Sequence, residues 1–322
     1  MRRGIHWVNR PHKALDLRRP KKEFSMDARR KKILVAVDGS DQAFEAARYV
    51  SQLFLPNSME VVLFHSFWEA RKDPAYRHRH AFIAEWMTEQ ERAIQEFLER
   101  TRQLFLEQGV PEDVVITKIK ERKLGIVGDI VEECQGGFDA LVVGREGVSK
   151  LKDLVWGSIA KELIGYPLNI PLCVVGGAPE VGRILLGMDG SEGAMKALDY
   201  LGTILQCTNC EGALFHVIKS FDYVIVYADG GFDKAERAAK ICLEKAICHL
   251  EEEGLSPNRM TTKIAVGADS CSRAIVEKAR EDGYGTIVVG RRSLSGLQEC
   301  FLGRVSNNVL KLAKEMAVWV VP

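Results

Sequence analysis

The chain has 322 residues, 46% of them hydrophobic and 28% charged, with a net charge of +1, a make-up that fits a globular protein of two domains. No apolar run approaches the roughly 20 residues that span a bilayer. No apolar stretch follows the charged residues of Met1–Gly4, so neither a membrane helix nor a secretory signal is expected, and the eight cysteines are expected as reduced thiols in the cytoplasm.

The near-zero net charge conceals an asymmetry. Residues 1–32 hold twelve Lys or Arg against Asp16, Glu23 and Asp27, a balance of +9 that leaves −8 for the rest. Such an arm could bind RNA, anionic lipid or the acidic body itself. It has no helical periodicity and contains Pro11 and Pro20, so residues 1–30 are read as a solvated, disordered extension, with nucleic acid a partner only through this arm. Met26, just upstream of the first strand, is an alternative start of translation.

The first apolar strand, within Lys31–Val37, ends in Asp38-Gly39-Ser40. The same pattern returns at Arg183–Ser191, where Asp189 lies 151 positions after Asp38. A helix follows in each copy. In the first copy Ala43, Ala46, Ala47, Val50, Leu53 and Phe54 form an apolar stripe at helical spacing, and Ser40 and Ser191 suit the helix N-caps. A second strand comes next, at Val61–Ser66 and Ala213–Val217, with His65 and His216 again 151 apart. Longer helices over about 81–108 and 233–253 close near Gly109 and Gly254. A third strand, a third helix, a fourth strand, a fourth helix and a last apolar strand complete each half, the last strands being Pro171–Val175 and Ala317–Val321.

The order β-α-β-α-β-α-β-α-β in each half implies an α/β fold, two open sheets of five parallel strands with helices on both faces. The boundaries are a first domain at 31–176, a linker at 177–182 and a second domain at 183–322. The last strand of each repeat offers an edge that could extend an assembly into a homo-oligomer. Ligands of such sheets sit at the carboxyl ends of the strands where strand order reverses. Asp38 and Gly144 are both expected there. Gly144-Arg145-Glu146-Gly147, then Gly157-Ser158 after nine residues, reads G-x2-G-x9-G-S between the strand Leu141–Val143 and a helix starting at Ser158. Glycines let backbone approach an anion, and the first N–H groups of a helix point at it. Lys150 and Lys152 add positive charge inside this loop. The second copy keeps Gly290 and Gly303 but carries Ser293 and Arg304 in place of the second glycine and the serine.

Asp-Gly-Ser after the first strand, a histidine in the second and G-x2-G-x9-G-S after the fourth together resemble the universal stress protein family, in its adenine-nucleotide-binding form. The resemblance covers both repeats and excludes the basic arm. It implies a Rossmann-like fold of the adenine-nucleotide alpha-hydrolase type, ATP as ligand, alone or with Mg²⁺, and a dimer that a tandem chain imitates internally. Carried over by position, Ala36 and Asp38 flank adenine and ribose, with Ser66 near the adenine through its backbone. Val143, Gly144 and Gly147 flank ribose and phosphates, and Gly157, Ser158 and Ile159 hold the phosphates. Glycine at 144 and 147 removes a Cβ from the ligand's path and permits positive φ. The matching second set, Asp189, Val217, Gly290, Ser293, Gly303 and Arg304, is read as a degenerate site.

The family also implies a regulatory role in stress responses, with an unidentified protein partner. Two other classes stay open. One is a slow ATPase or self-phosphorylating enzyme with Ser158 near the γ-phosphate, although no base or positioned water can be assigned. The other is a thiol or zinc sensor built on Cys207-Thr208-Asn209-Cys210, with Cys242, Cys248 or His249 as further ligands.

Overall fold

A computed structural model describes residues 6–9, 30–67, 81–146, 157–220, 232–291 and 303–322. The chain divides into two compact units. One takes Asp27–Gln52 and Pro56–Gly177, and the other is built on Ala178–Pro322.

The first unit runs β2 (Lys31–Ala36), α1 (Asp41–Leu53), β3 (Met59–Phe67), α2 (Ala81–Glu107), β4 (Val115–Glu121), α3 (Ile126–Cys134), β5 (Ala140–Gly144), α4 (Ser158–Gly165) and β6 (Leu172–Val175). Its strands lie in the order β6-β5-β2-β3-β4, all in parallel. Strand order therefore reverses between β2 and β5. Ile33, Leu34 and Val35 of β2 and Leu141 and Val142 of β5 are essentially inaccessible to solvent, as strands covered on both faces must be. The stripe on α1 faces this core, with Ala43, Ala46, Ala47, Val50 and Leu53 all buried.

The second unit repeats the plan with β7 (Arg183–Gly187), α5 (Glu192–Gln206), β8 (Glu211–Lys219), α6 (Phe232–Glu252), β9 (Met260–Ala268), α7 (Cys271–Glu281), β10 (Thr286–Gly290), α8 (Arg304–Leu312) and β11 (Ala317–Val321). The order β9-β8-β7-β10-β11 is the same as in the first unit. Inside this core Trp319 has no exposed surface and packs against Tyr200 with ring centroids 5.4 Å apart.

One element departs from expectation. His6–Asn9, within the basic arm, form strand β1, which pairs antiparallel with β9 in the register His6↔Val266 to Asn9↔Lys263. Disorder was the sequence-based reading for all of 1–30. Four residues that find their partner near the far end of the chain leave no local periodicity to read.

Candidate functional site

In the first unit, Ala36 at the end of β2 stands in register with Val143 of β5. The chain leaving β2 then turns sharply. Gly39 adopts a left-handed φ of 86°, where an L side chain is strained, and the Ser40 N–H donates to Asp38 Oδ1 at 3.0 Å. Ser40 Oγ accepts from the N–H of Ala43 at 3.1 Å and so caps α1. His65 supports this turn from β3 by donating its Nδ1 proton to the Val37 carbonyl at 2.8 Å. Burial lowers the pKa of His65 against the pull of that carbonyl and of Asp38, which favours the neutral ring.

Across the switch point the main chain of Arg145 links three elements. Its N–H donates to Val175 at the end of β6 at 2.8 Å, and its carbonyl accepts from Gly157, the N-cap of α4, at 2.8 Å. The start of α4 is thereby held beside the carboxyl ends of β5 and β6. Ser158 is exposed, and Ile159 is half-buried. Gly147 lies outside the described residues. Asp38, Val143, Gly144, Gly157, Ser158 and Ile159 thus stand on segments converging on the carboxyl edge of the sheet.

The left-handed φ foreseen for Gly144 is corrected. Gly144 has no left-handed φ, and an added Cβ would lie 2.9 Å from the carbonyl carbon and oxygen of Gln42. What demands glycine here is the first turn of α1 resting directly on β5. Gln42 fastens that turn further by donating its side-chain amide to the Gly177 carbonyl at 2.9 Å.

Ser66 is tied down from two sides. Its hydroxyl donates to Asp129 Oδ2 at 2.7 Å, and its carbonyl accepts from the Arg122 guanidinium at 3.2 Å. Asp129, on α3 with no exposed surface, also accepts from the main-chain N–H groups of Lys123 and Leu124. Burial would raise its pKa. The Leu124 N–H, Ser66 hydroxyl, Lys123 N–H and nearby Lys120 outweigh it and hold the carboxyl below its usual value. Asp129 escaped the sequence reading, although a lone carboxylate on the apolar face of a short helix was the available signal.

The second unit contains a cavity of about 140 Å³ at the equivalent place. It is lined by Asp189, Val217, Gly290, Gly303 and Arg304, five of the six residues foreseen for the second site, together with Cys271 and Ser306 among others. The sixth, Ser293, lies outside the described residues. The Asp-Gly-Ser turn is rebuilt here, with Gly190 at φ 76° and Asp189 Oδ1 accepting from both the N–H and the hydroxyl of Ser191 at 3.0 and 2.6 Å. The packing of helix on strand is tighter than in the first unit. Gly193 replaces Gln42, and a Cβ on Gly290 would lie 2.0 Å from the Gly193 oxygen. Ser306, missed in the sequence, donates its hydroxyl to the Gly290 carbonyl at 2.8 Å, where the first repeat has the buried Ala160.

The C-x2-C loop is built around an arginine. Cys207 and Cys210 are buried, and the Arg259 guanidinium donates to the carbonyls of Leu205, Thr208 and Cys210. Burial pushes the Cys210 thiol up, against smaller opposing effects of Thr208, Gly182 and Arg259. Among the described residues no three His, Cys, Asp or Glu gather as a metal site.

An open α/β unit used twice in one chain, each with an acidic turn and a helix N-terminus meeting at the switch point, defines a tandem Rossmann-like protein with ligand crevices at its strand ends. The model of the universal stress protein family matches twice, over residues 29–167 and 180–322, and the chain belongs to that family. The universal stress protein YxiE of Bacillus subtilis is 26% identical over 138 residues, which cover 41% of this chain and 93% of that one. Among solved structures, a universal stress protein from Archaeoglobus fulgidus aligns with a TM-score of 0.62 at 19% identity, covering 90% of this chain and 97% of its own. A functionally unknown protein from Pseudomonas aeruginosa aligns at 0.57 and 16% identity, over 92% and 93% of the two chains. At these identities the structural likeness is one of fold.

Proposed function

We propose that the chain binds an adenine nucleotide, ATP alone or with Mg²⁺, in the first crevice, and that occupancy sets its affinity for a protein partner during a stress response. The observation that carries this reading is the bond from the Gly157 N–H to the Arg145 carbonyl. It ties the positive end of α4 to the residue after Gly144, on the sheet edge where β2 runs out at Asp38, and in this reading the phosphate groups of a ligand face the helix and its hydroxyls face Asp38. Ala36, Val143 and Ser66 border the base and ribose in this reading, Gly147, Ser158 and Ile159 the phosphates. A ligand regulates only through differential affinity for two states, and two crevices in one chain supply a built-in reference for that difference. No disulfide joins any two of the seven described cysteines, which in this reading suits a reducing cytoplasm. No described helix is long and apolar enough to cross a membrane. The Arg259 clamp favours a structural role for Cys207 and Cys210 over a sensor.

The cavity in the second unit favours a second reading alongside the first. Arg304, the first residue of α8, lines it, and a guanidinium at a helix N-terminus suits an anionic ligand. Titration calorimetry with MgATP decides between the crevices. Gly157 has φ −62° and ψ 149°, open to any residue, so Gly157→Trp obstructs the first crevice without straining the backbone. We expect Gly157→Trp to abolish ATP binding and Gly303→Trp to leave it. Undiminished binding in Gly157→Trp would overturn the assignment to the first repeat, and ADP with phosphoserine in the incubated protein would indicate the enzyme.

A further inference from the structure

The third strand of each unit, β4 or β9, is the last of that unit's own parallel strands, and the two are protected differently. An uncovered edge strand is a template for pairing with another chain, and proteins blunt it with charge or cover it. The first unit uses charge. Edge strand β4 carries Lys118 and Lys120, paired with Glu133 and Glu132 of α3 at 2.7 Å each, and four of its seven residues are exposed. In β9 of the second unit Ile264, Ala265 and Val266 are buried. Its one lysine, Lys263, is drawn onto Asp282 at the end of α7 at 2.6 Å. These four residues hold one lysine followed by three apolar residues, and β1 lies there, pairing with Lys263–Val266 one to one.

We propose that β1 is a detachable cover for the β9 edge, and that a chain deprived of it pairs through β9 with a second copy of itself. The cover is small. β1 is four residues long, and a strand that short is marginal by itself. Trp7 and Val8 are good strand formers, whereas Gly4 and Pro11 limit extension on either side. The occupant is a second copy because β9 already accepts an antiparallel neighbour. Two β9 strands laid antiparallel are related by a two-fold axis, so that one contact satisfies both edges and closes the assembly. The stretch Ile264-Ala265-Val266 then meets its own apolar equivalent. Centred on Ala265, that pairing sets Lys263 opposite Gly267, whereas a β4 pair centred on Ile119 would set Lys118 opposite Lys120.

The test uses the full chain and the double variant Trp7→Pro/Val8→Pro. Consecutive residues of an edge strand point their N–H groups to opposite sides, so one of the two prolines removes a donor to β9 whatever the phase. Length and charge of the arm stay as they are. At sub-micromolar concentration, where the variant is monomeric, we expect amide hydrogen exchange at Lys263–Val266 to accelerate roughly tenfold or more. We also expect the mass by light scattering to double relative to the full chain at roughly tens of micromolar. Excess synthetic peptide Met1–His12 should restore both to their original values. Unchanged exchange would show that β1 does not cover β9. Faster exchange without added mass would show that no second copy fits, and a doubled mass that the peptide leaves untouched would place the association elsewhere. An Arg2→Gln/Arg3→Gln/Arg10→Gln variant should match the full chain. If it behaves like the proline variant, charge rather than strand pairing carries the effect. Each of these four results overturns the proposal.

Discussion

At the far end of its second strand the first unit spends polar groups: Ser66 on Asp129, and Asp129 on two further main-chain N–H groups. The second unit has Val217 facing its cavity and Ala274 at the helical position matching Asp129. At the glycine strand the contrast runs the other way. The first unit has Gln42 and Ala160, and the second has Gly193 and a Ser306 hydroxyl bonded to Gly290. The two crevices therefore share a backbone and exchange the places where polarity is spent. The main chain of the crevice is a property of the fold, whereas its side chains are free to diverge after duplication.

The sharpest way to break this comparison is to add one carbon to each glycine strand. Gly290→Ala should cost about 3–5 kcal/mol, because the new Cβ meets Gly193 backbone that cannot move aside, while Gly144→Ala, with its contacts near 2.9 Å, should cost about 1–3 kcal/mol. Urea unfolding followed by tryptophan fluorescence measures both, and equal losses would mean that the two helix–strand contacts do not differ as described. Asp129→Asn should cost about 2 kcal/mol at neutral pH. The folded carboxyl titrates below its ordinary value of 3.8, so its contribution is complete well above that pH. It shrinks once the unfolded chain begins to take up the proton and is gone when the folded group has done so. The gap between wild type and variant should therefore narrow from pH 5 downward, and a gap independent of pH would refute a charged Asp129. Ser306→Ala, which makes the second unit imitate Ala160, should cost about 1 kcal/mol by the same unfolding assay, and a neutral result would mean that the Gly290 carbonyl finds another donor.

Much of this was legible in the sequence because it is written locally. The strand runs at 33–35 and 141–143, the stripe on α1 and the serine caps are patterns within a few residues, and a parallel sheet leaves few other ways to arrange them. The doubled Asp-Gly-Ser turn also revealed itself by its offset. What stayed hidden depends on partners remote in sequence. Asp129 is interpretable only beside Ser66, Arg259 only beside the loop at 207–210, and β1 only beside β9. The reason for Gly144 was hidden in the same way, since spacing shows a glycine and not what presses on it.

That last point bears on how the two copies of a duplicated chain diverge. Whatever ligand it takes, each copy has to seat its first helix on its fourth strand, so packing by itself is reason enough for the glycine there. Packing constrains the exposed first residue of the following helix less, and that residue is Ser158 in one copy and Arg304 in the other. Divergence between the copies is therefore to be read first at positions 158 and 304, because at 144 and 290 the fold already asks for glycine.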